Sequence, residues 1–254
     1  MNDAPEGPAA PVAPIALEAP PQTPRQILRE VLLAFGVASA VASVLYHLRF
    51  IPFVKSNLHI GVALTFLGIA DLLLRKRGGL EAYGFRAAPT KLGLGLFAIG
   101  LFVVLPLFAV GFVVYSQQLC QHAAQLLPGS CYRVHHPLFR WPEGFLLQCA
   151  AQVIVVGLPE EVFFRAYIQG RLQEVWPATK QLLGAPVGRA LIVQAVIFGF
   201  GHFFVTFDPQ GFSRILPGLA FGWLYARTRS VLAGTLFHAA CNIVMELLVN
   251  TYYR

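Results

Sequence analysis

The sequence predicts an all-α, polytopic transmembrane helix bundle of about seven spans. Three observations predict it. The 254 residues are 56% hydrophobic and only 12% charged, about half the charge of a soluble domain. Apolar runs recur that approach or exceed the roughly 20 helical residues needed to cross a hydrocarbon core. No period-two pattern accompanies them, which disfavours a β-barrel. The same composition disfavours other classes. Disorder needs low hydrophobicity and high net charge. A disulfide scaffold needs more than four cysteines in 254 residues. The net charge of +7 does not mark a nucleic-acid binder, because the basic residues sit between apolar runs and not on one domain face.

Residues 1–24 are rich in Pro and Ala, with Asp3, Glu6 and Glu18 and no Lys or Arg. Such a segment buries too little apolar surface to offset its ordering entropy, so a disordered tail is expected. It lacks the basic start of a signal peptide. Residues 25–254 form the membrane domain. Spans are expected near 28–48, 57–74, 92–115, 144–168, 190–207, 213–227 and 230–250. The run from Leu92 to Tyr115 has no charge at all; the sixth is short and holds Pro217, so a kinked or incomplete span is expected there.

Lys and Arg placement sets orientation. Arg25 and Arg29 precede the first span, and Arg75, Lys76, Arg77, Arg86 and Lys91 follow the second. Arg171, Lys180 and Arg189 follow the fourth, and Arg227 and Arg229 precede the seventh. Seven spans put these four places on one side, which predicts a cytoplasmic N-terminus in an integral, multi-pass protein, with a bacterial inner membrane as the expected setting. Arg49, Lys55, Arg133, Arg140 and Arg214 fall on the other side. Cys120 and Cys131 share the loop between spans three and four, as a disulfide or as two thiols. Cys149 and Cys241 are expected to be packing residues.

Ionisable groups inside apolar runs carry the functional signal, because facing lipid is expensive for them. The fourth run holds Pro159, Glu160, Glu161 and Arg165; the fifth holds Gly199, Gly201 and His202; the seventh holds His238 and Asn242. Asp71 in the second lies one turn from Arg75. Measured from Arg171, Arg189 and Arg229 at about 1.5 Å per residue, Glu160 lies roughly 16 Å deep, His202 about 20 Å, His238 about 14 Å and Asn242 about 20 Å. Helices of alternating direction thus place their polar groups in one layer. Glu161 and Arg165 are four apart and can pair. Glu160 is rotated by about 100° from Glu161, so the two carboxylates have different roles. His238 and Asn242 share a face and can donate to a developing oxyanion. Pro159 removes a backbone donor and is expected to bend the helix. Two chemistries fit this set: water activation by a desolvated carboxylate, and a metal site with His and Glu ligands. The His-Glu-x-x-His spacing is absent. Buried polar residues that only glue helices together remain the bland account.

At these residues the chain resembles the CPBP intramembrane proteases, also called the Abi family, which include the type II CAAX prenyl endopeptidases. The resemblance is carried by Glu-Glu-x-x-x-Arg (Glu160, Glu161, Arg165), Phe-x-x-x-His (Phe198, His202) and His-x-x-x-Asn (His238, Asn242), with the stretch Gly222 to Ser230 before the last motif. It covers about residues 144–250. It implies an intramembrane endopeptidase of glutamate type. Glu160 would activate water, His202 would help hold it, His238 and Asn242 would form the oxyanion hole, and Glu161 with Arg165 would be structural support. The implied substrate is a membrane-anchored protein or peptide, prenylated or held by a C-terminal anchor, and a protein-sorting, myxosortase-like member is one subtype. No cofactor is expected, since a glutamate base with oxyanion donors suffices; a zinc-dependent version of the same protease is the alternative. Two other classes stay open: a bacteriocin-immunity or membrane binding protein without catalysis, and a proton-coupled transporter using Glu160 and His202. Seven spans without an internal repeat do not suit the inverted-repeat transporter plan.

Overall fold

The computed structural model describes residues 20–85, 91–122 and 141–252. The tail through residue 19 and Cys131, hence its pairing with Cys120, lie outside them. Seven main helices follow in order: α1 (Pro24–His47), α2 (Pro52–Arg77), α3 (Lys91–Val114), α4 (Phe145–Val175), α5 (Arg189–Thr206), α6 (Ile215–Thr228) and α7 (Val231–Tyr252). Six of them, all but α6, are long and apolar enough to cross a membrane. The chain is an integral, multi-pass, mostly helical membrane protein.

Of the two outcomes expected for the sixth span, kinked or incomplete, the structure shows the incomplete one. α6 has 14 residues, about 21 Å at helical rise, against a core of about 30 Å. The chain before it forms a 3₁₀ segment, Pro209–Arg214, and Pro217 falls in the first turn of α6. There the missing N–H has no partner to lose, so Pro217 opens the helix and does not kink it. One short hairpin, β1 (Lys180–Leu182) with β2 (Ala185–Val187), joins α4 to α5. Three-residue strands leave no periodicity for a sequence to display.

The packing uses lipid as a second solvent. On α1, Ile27, Val31, Ala34, Ala38 and Ala42 are buried along one face, while Leu32, Leu33 and Val37 are exposed. α3 is the least embedded helix, with Phe102, Leu107 and Val110 bare. Exposed apolar side chains on this scale suit acyl chains and not water. α4 is the central post, and Val162 to Leu172 are buried without a break. Phe163 stacks on Phe66 of α2 at 4.8 Å between centroids, and Phe164 meets Phe198 of α5 edge-on at 4.9 Å.

One end of the bundle is a polar clasp. The fully buried Arg171 bonds Glu30 of α1 at 3.2 Å and also pairs with Glu174 and Gln22. Gln22, like Thr23, belongs to the stretch the sequence assigns to the tail. Thr23 caps α1 in a capping box with Gln26. Tyr83, just after α2, donates to Glu174 at 2.7 Å; burial and then this carboxylate push its phenol pKa up. The Tyr225 hydroxyl donates to the Tyr83 carbonyl, and the Val231 amide donates to Gly84. Arg229 reaches Gln173. The start of α1, the end of α2, the end of α4 and the α6–α7 turn therefore meet at one end, the four basic places noted above.

Candidate active site

Helix α4 is not regular where it carries the glutamates. Leu158–Glu161 is an α-helical turn with Pro159 in its first positions, flanked by wider π-helical segments, Gln152–Gly157 and Val162–Gln169. A proline inside a helix removes one bond and crowds the carbonyl four residues back. Wider turns absorb that crowding, and such bulges recur at functional sites.

Glu160, His202 and His238 converge from α4, α5 and α7. The carboxylate oxygen Oε2 of Glu160 lies 4.0 Å from His202 Nε2 and 3.7 Å from His238 Nε2. Both separations exceed a direct hydrogen bond, yet one bridging water spans either. His202 Nδ1 sits 2.9 Å from the Phe198 carbonyl. That oxygen can only accept, so Nδ1 carries the hydrogen and a neutral ring turns the Nε2 lone pair toward Glu160. His202 can therefore accept an O–H from a water that also faces the carboxylate.

Glu161 points to the other side of α4. Its Oε1 accepts from His238 Nδ1 at 3.0 Å and faces Arg165 Nη1 at 3.1 Å, with Glu161 and Arg165 wholly buried. The guanidinium lies 4.2 Å over the Phe198 ring and 5.2 Å from Phe221, an aromatic setting that favours a cation. His238 thus stands between the two glutamates, one at each ring nitrogen. Glu161 orients the imidazole as well as facing Arg165. Phe221 stacks on the His238 ring at 4.7 Å and fixes its plane. Asn242 stands one turn further along α7, and its amide donates to Gln152 of α4 at 3.0 Å. Gln152 and Phe221 are site residues that the motif reading passes over. Gln152 carried a signal, a carboxamide inside an apolar run; Phe221 carried none, because it resembles any core aromatic.

The close approach of α7 to α4 depends on glycine. A Cβ at Gly234 would stand 2.8 Å from Glu161 Oε2, and one at Gly157 would stand 3.1 Å from the Thr235 carbonyl. Gly234→Ala is expected to push Glu161 off His238 and destabilise the fold by about 1–3 kcal/mol, the usual range for overpacking. Thermal unfolding in detergent checks it, and an unchanged midpoint would show that the helices part without loss.

Glu160 and His202 open onto a cavity of about 220 Å³ among α1, α2, α4 and α5. Its walls are largely apolar, with Ala42, Ala63, Phe66, Phe164 and Val205 among them, and it extends to Tyr46, His59 and Thr206. Those last three lie where α1 ends, α2 begins and α5 ends, opposite the polar clasp. The remaining predicted group, Asp71, pairs with Arg75 on a largely exposed stretch of α2 and takes no part. Cys149 and Cys241 are half-buried free thiols.

A carboxylate and two imidazoles thus meet inside a membrane-embedded bundle, and the carboxylate and one of the imidazoles, Glu160 and His202, line an apolar cavity. Residues 142–244 match the family described as Type II CAAX prenyl endopeptidase Rce1-like, which places this segment in the CPBP family. The match supports a CAAX-type intramembrane protease at the level of the family, and a protease of that family implies a protein substrate in the membrane. The segment holds Glu160, Glu161, Arg165, His202, His238 and Asn242, while α1 to α3 lie outside it. No curated protein and no solved structure matches the chain.

Proposed function

We propose that the protein hydrolyses a peptide bond of a membrane-anchored protein, with water activated by Glu160. One observation carries this reading: the Glu160 carboxylate and the His202 Nε2 lone pair face one another across 4.0 Å on the wall of an apolar cavity. A water there gives one hydrogen toward His202 and the other to Glu160, and its oxygen attacks the scissile carbonyl. Glu160 then passes the proton to the leaving amine. His238, when it carries both protons, donates Nδ1–H to Glu161 and offers Nε2–H to the oxyanion. Asn242 keeps its second amide hydrogen free of Gln152 and is the other donor. Asn242→Ala is expected to lower kcat by about 10²–10³, the usual loss for one such donor, measured on any substrate once found.

No cofactor enters this scheme, because the base and the donors complete the chemistry. A zinc-dependent version predicts loss of activity on chelation and recovery with zinc, whereas the glutamate scheme predicts activity that survives chelation.

The basic residues at the clasp end favour a cytoplasmic N-terminus, and a bacterial inner membrane is the setting proposed with it. The cavity then reaches toward the opposite face. That favours a sorting-type substrate, a surface protein with a C-terminal membrane anchor, over a prenylated cytoplasmic one. Mass spectrometry of membrane proteins from cells carrying the wild-type chain or Glu160→Gln tests the proposal. New peptide ends that vanish in the variant support it. Identical peptide ends in both strains favour the non-catalytic immunity or binding reading.

A further inference from the structure

The hairpin between α4 and α5 makes an unusual exposure of leucine. Leu183 and Gly184 form its two-residue turn, both with positive φ, +50° and +75°. Such turns favour Asn or Gly at the first position, because a side chain there is strained. Here the position holds a leucine that is 81% exposed, beside Leu182 at 54%. Local chemistry in water argues against that residue; an apolar surrounding argues for it.

The hairpin is also held at a particular depth. Trp223 Nε1 donates to the Leu182 carbonyl at 2.9 Å. The Arg227 guanidinium lies under the turn, 2.8 Å from where a Cβ of Gly184 would be. Ala185 is fully buried. Trp223 is five residues inside the end of α6 at Thr228, roughly 7.5 Å along the helix. Leu182 thus lies level with Trp223 and the tip residue Gly184 beside Arg227, so the hairpin lies along the last turns of α6, at the level of that helix end. Exposed Lys180 and Arg189 stand at the open end of the hairpin, and no acidic residue lies between Val175 and Asp208. Tryptophan and basic side chains at this level are the usual furniture of the headgroup layer.

We infer that the Lys180–Val187 hairpin is a membrane-interface anchor. Leu182 and Leu183 enter the acyl boundary of the adjoining leaflet, while Lys180, Arg189 and Arg227 meet the phosphates of anionic lipids. This rests on the membrane fold alone and is independent of proteolysis.

Photocrosslinking tests it. Benzoylphenylalanine replaces Leu183 in the full chain, reconstituted in phosphatidylcholine vesicles with a minority of phosphatidylglycerol; a second protein carries it at Leu107, on the exposed face of α3. The expected result is phospholipid adducts at both positions. At residue 183 phosphatidylglycerol is enriched about fivefold over its share of the bilayer, and Lys180→Gln with Arg189→Gln removes most of that enrichment. Adducts at 107 with none at 183, or a crosslink from 183 to a second copy of the chain, overturns the anchor. Adducts at 183 that mirror the bilayer composition overturn the role of the cations.

Discussion

Glu160→Gln is expected to lower kcat by about 10²–10⁴, the contribution of a positioned general base, while leaving the thermal midpoint of the protein unchanged. The geometry separates the two effects. Glu160 Oε2 accepts no hydrogen bond from any described residue, and its neighbours His202 and His238 stand at 4.0 and 3.7 Å. A carboxamide of the same shape therefore breaks no contact that holds the fold. It does remove the group able to take a proton from water. Cleavage of a membrane-embedded substrate by purified protein in vesicles measures the first effect, and thermal unfolding of the same preparation the second. Full activity in the variant would assign the base elsewhere.

Glu161→Ala is expected to act in the opposite manner, through stability first. The residue is adjacent in sequence, yet it belongs to a wholly buried ion pair with Arg165 at 3.1 Å. Removing one partner leaves a guanidinium among Phe164, Phe198 and Phe221 with no carboxylate beside it. Breaking a buried pair in this way costs about 3–5 kcal/mol. The same change strips His238 Nδ1 of its acceptor, so activity falls as well. Replacing both charges, with Glu161→Gln and Arg165→Met in one chain, is expected to recover most of the stability but not the activity, because the two sites are coupled. Equilibrium unfolding in detergent reads the first quantity. A single Glu161→Ala variant as stable as wild type would mean that the pair is solvated.

What the sequence made legible follows from the cost of charge in lipid. Glu160, Glu161, Arg165, His202 and His238 stand out because an ionisable group in an apolar run requires a partner, and helical rise alone put them in one layer. The four basic places were assigned to one side from Lys and Arg spacing, and the contacts of Arg171, Tyr83 and Arg229 bring them together. The rest needed coordinates. Gln152 is uncharged, so its signal, a carboxamide inside an apolar run, is weaker than that of the ionisable groups, although its carboxamide takes the Asn242 amide. Phe221 is an ordinary apolar residue until its ring lies on His238. The π-helical turns around Pro159 change how far apart side chains stand, and no residue pattern announces them. The partial crossing by α6 was foreshadowed by the short run around Pro217, but its consequence depends on where α7 begins beside Gly84.

The central claim is that Glu160 acts on water and forms no covalent bond to the substrate. Cleavage carried through many turnovers in H₂¹⁸O, followed by mass spectrometry of both the product and the enzyme peptide containing Glu160, tests it most directly. A general base predicts ¹⁸O in the new C-terminal carboxylate of the product and none in the Glu160 side chain. Label accumulating in the Glu160 carboxylate would mean that this residue attacks the carbonyl itself, and would contradict the account.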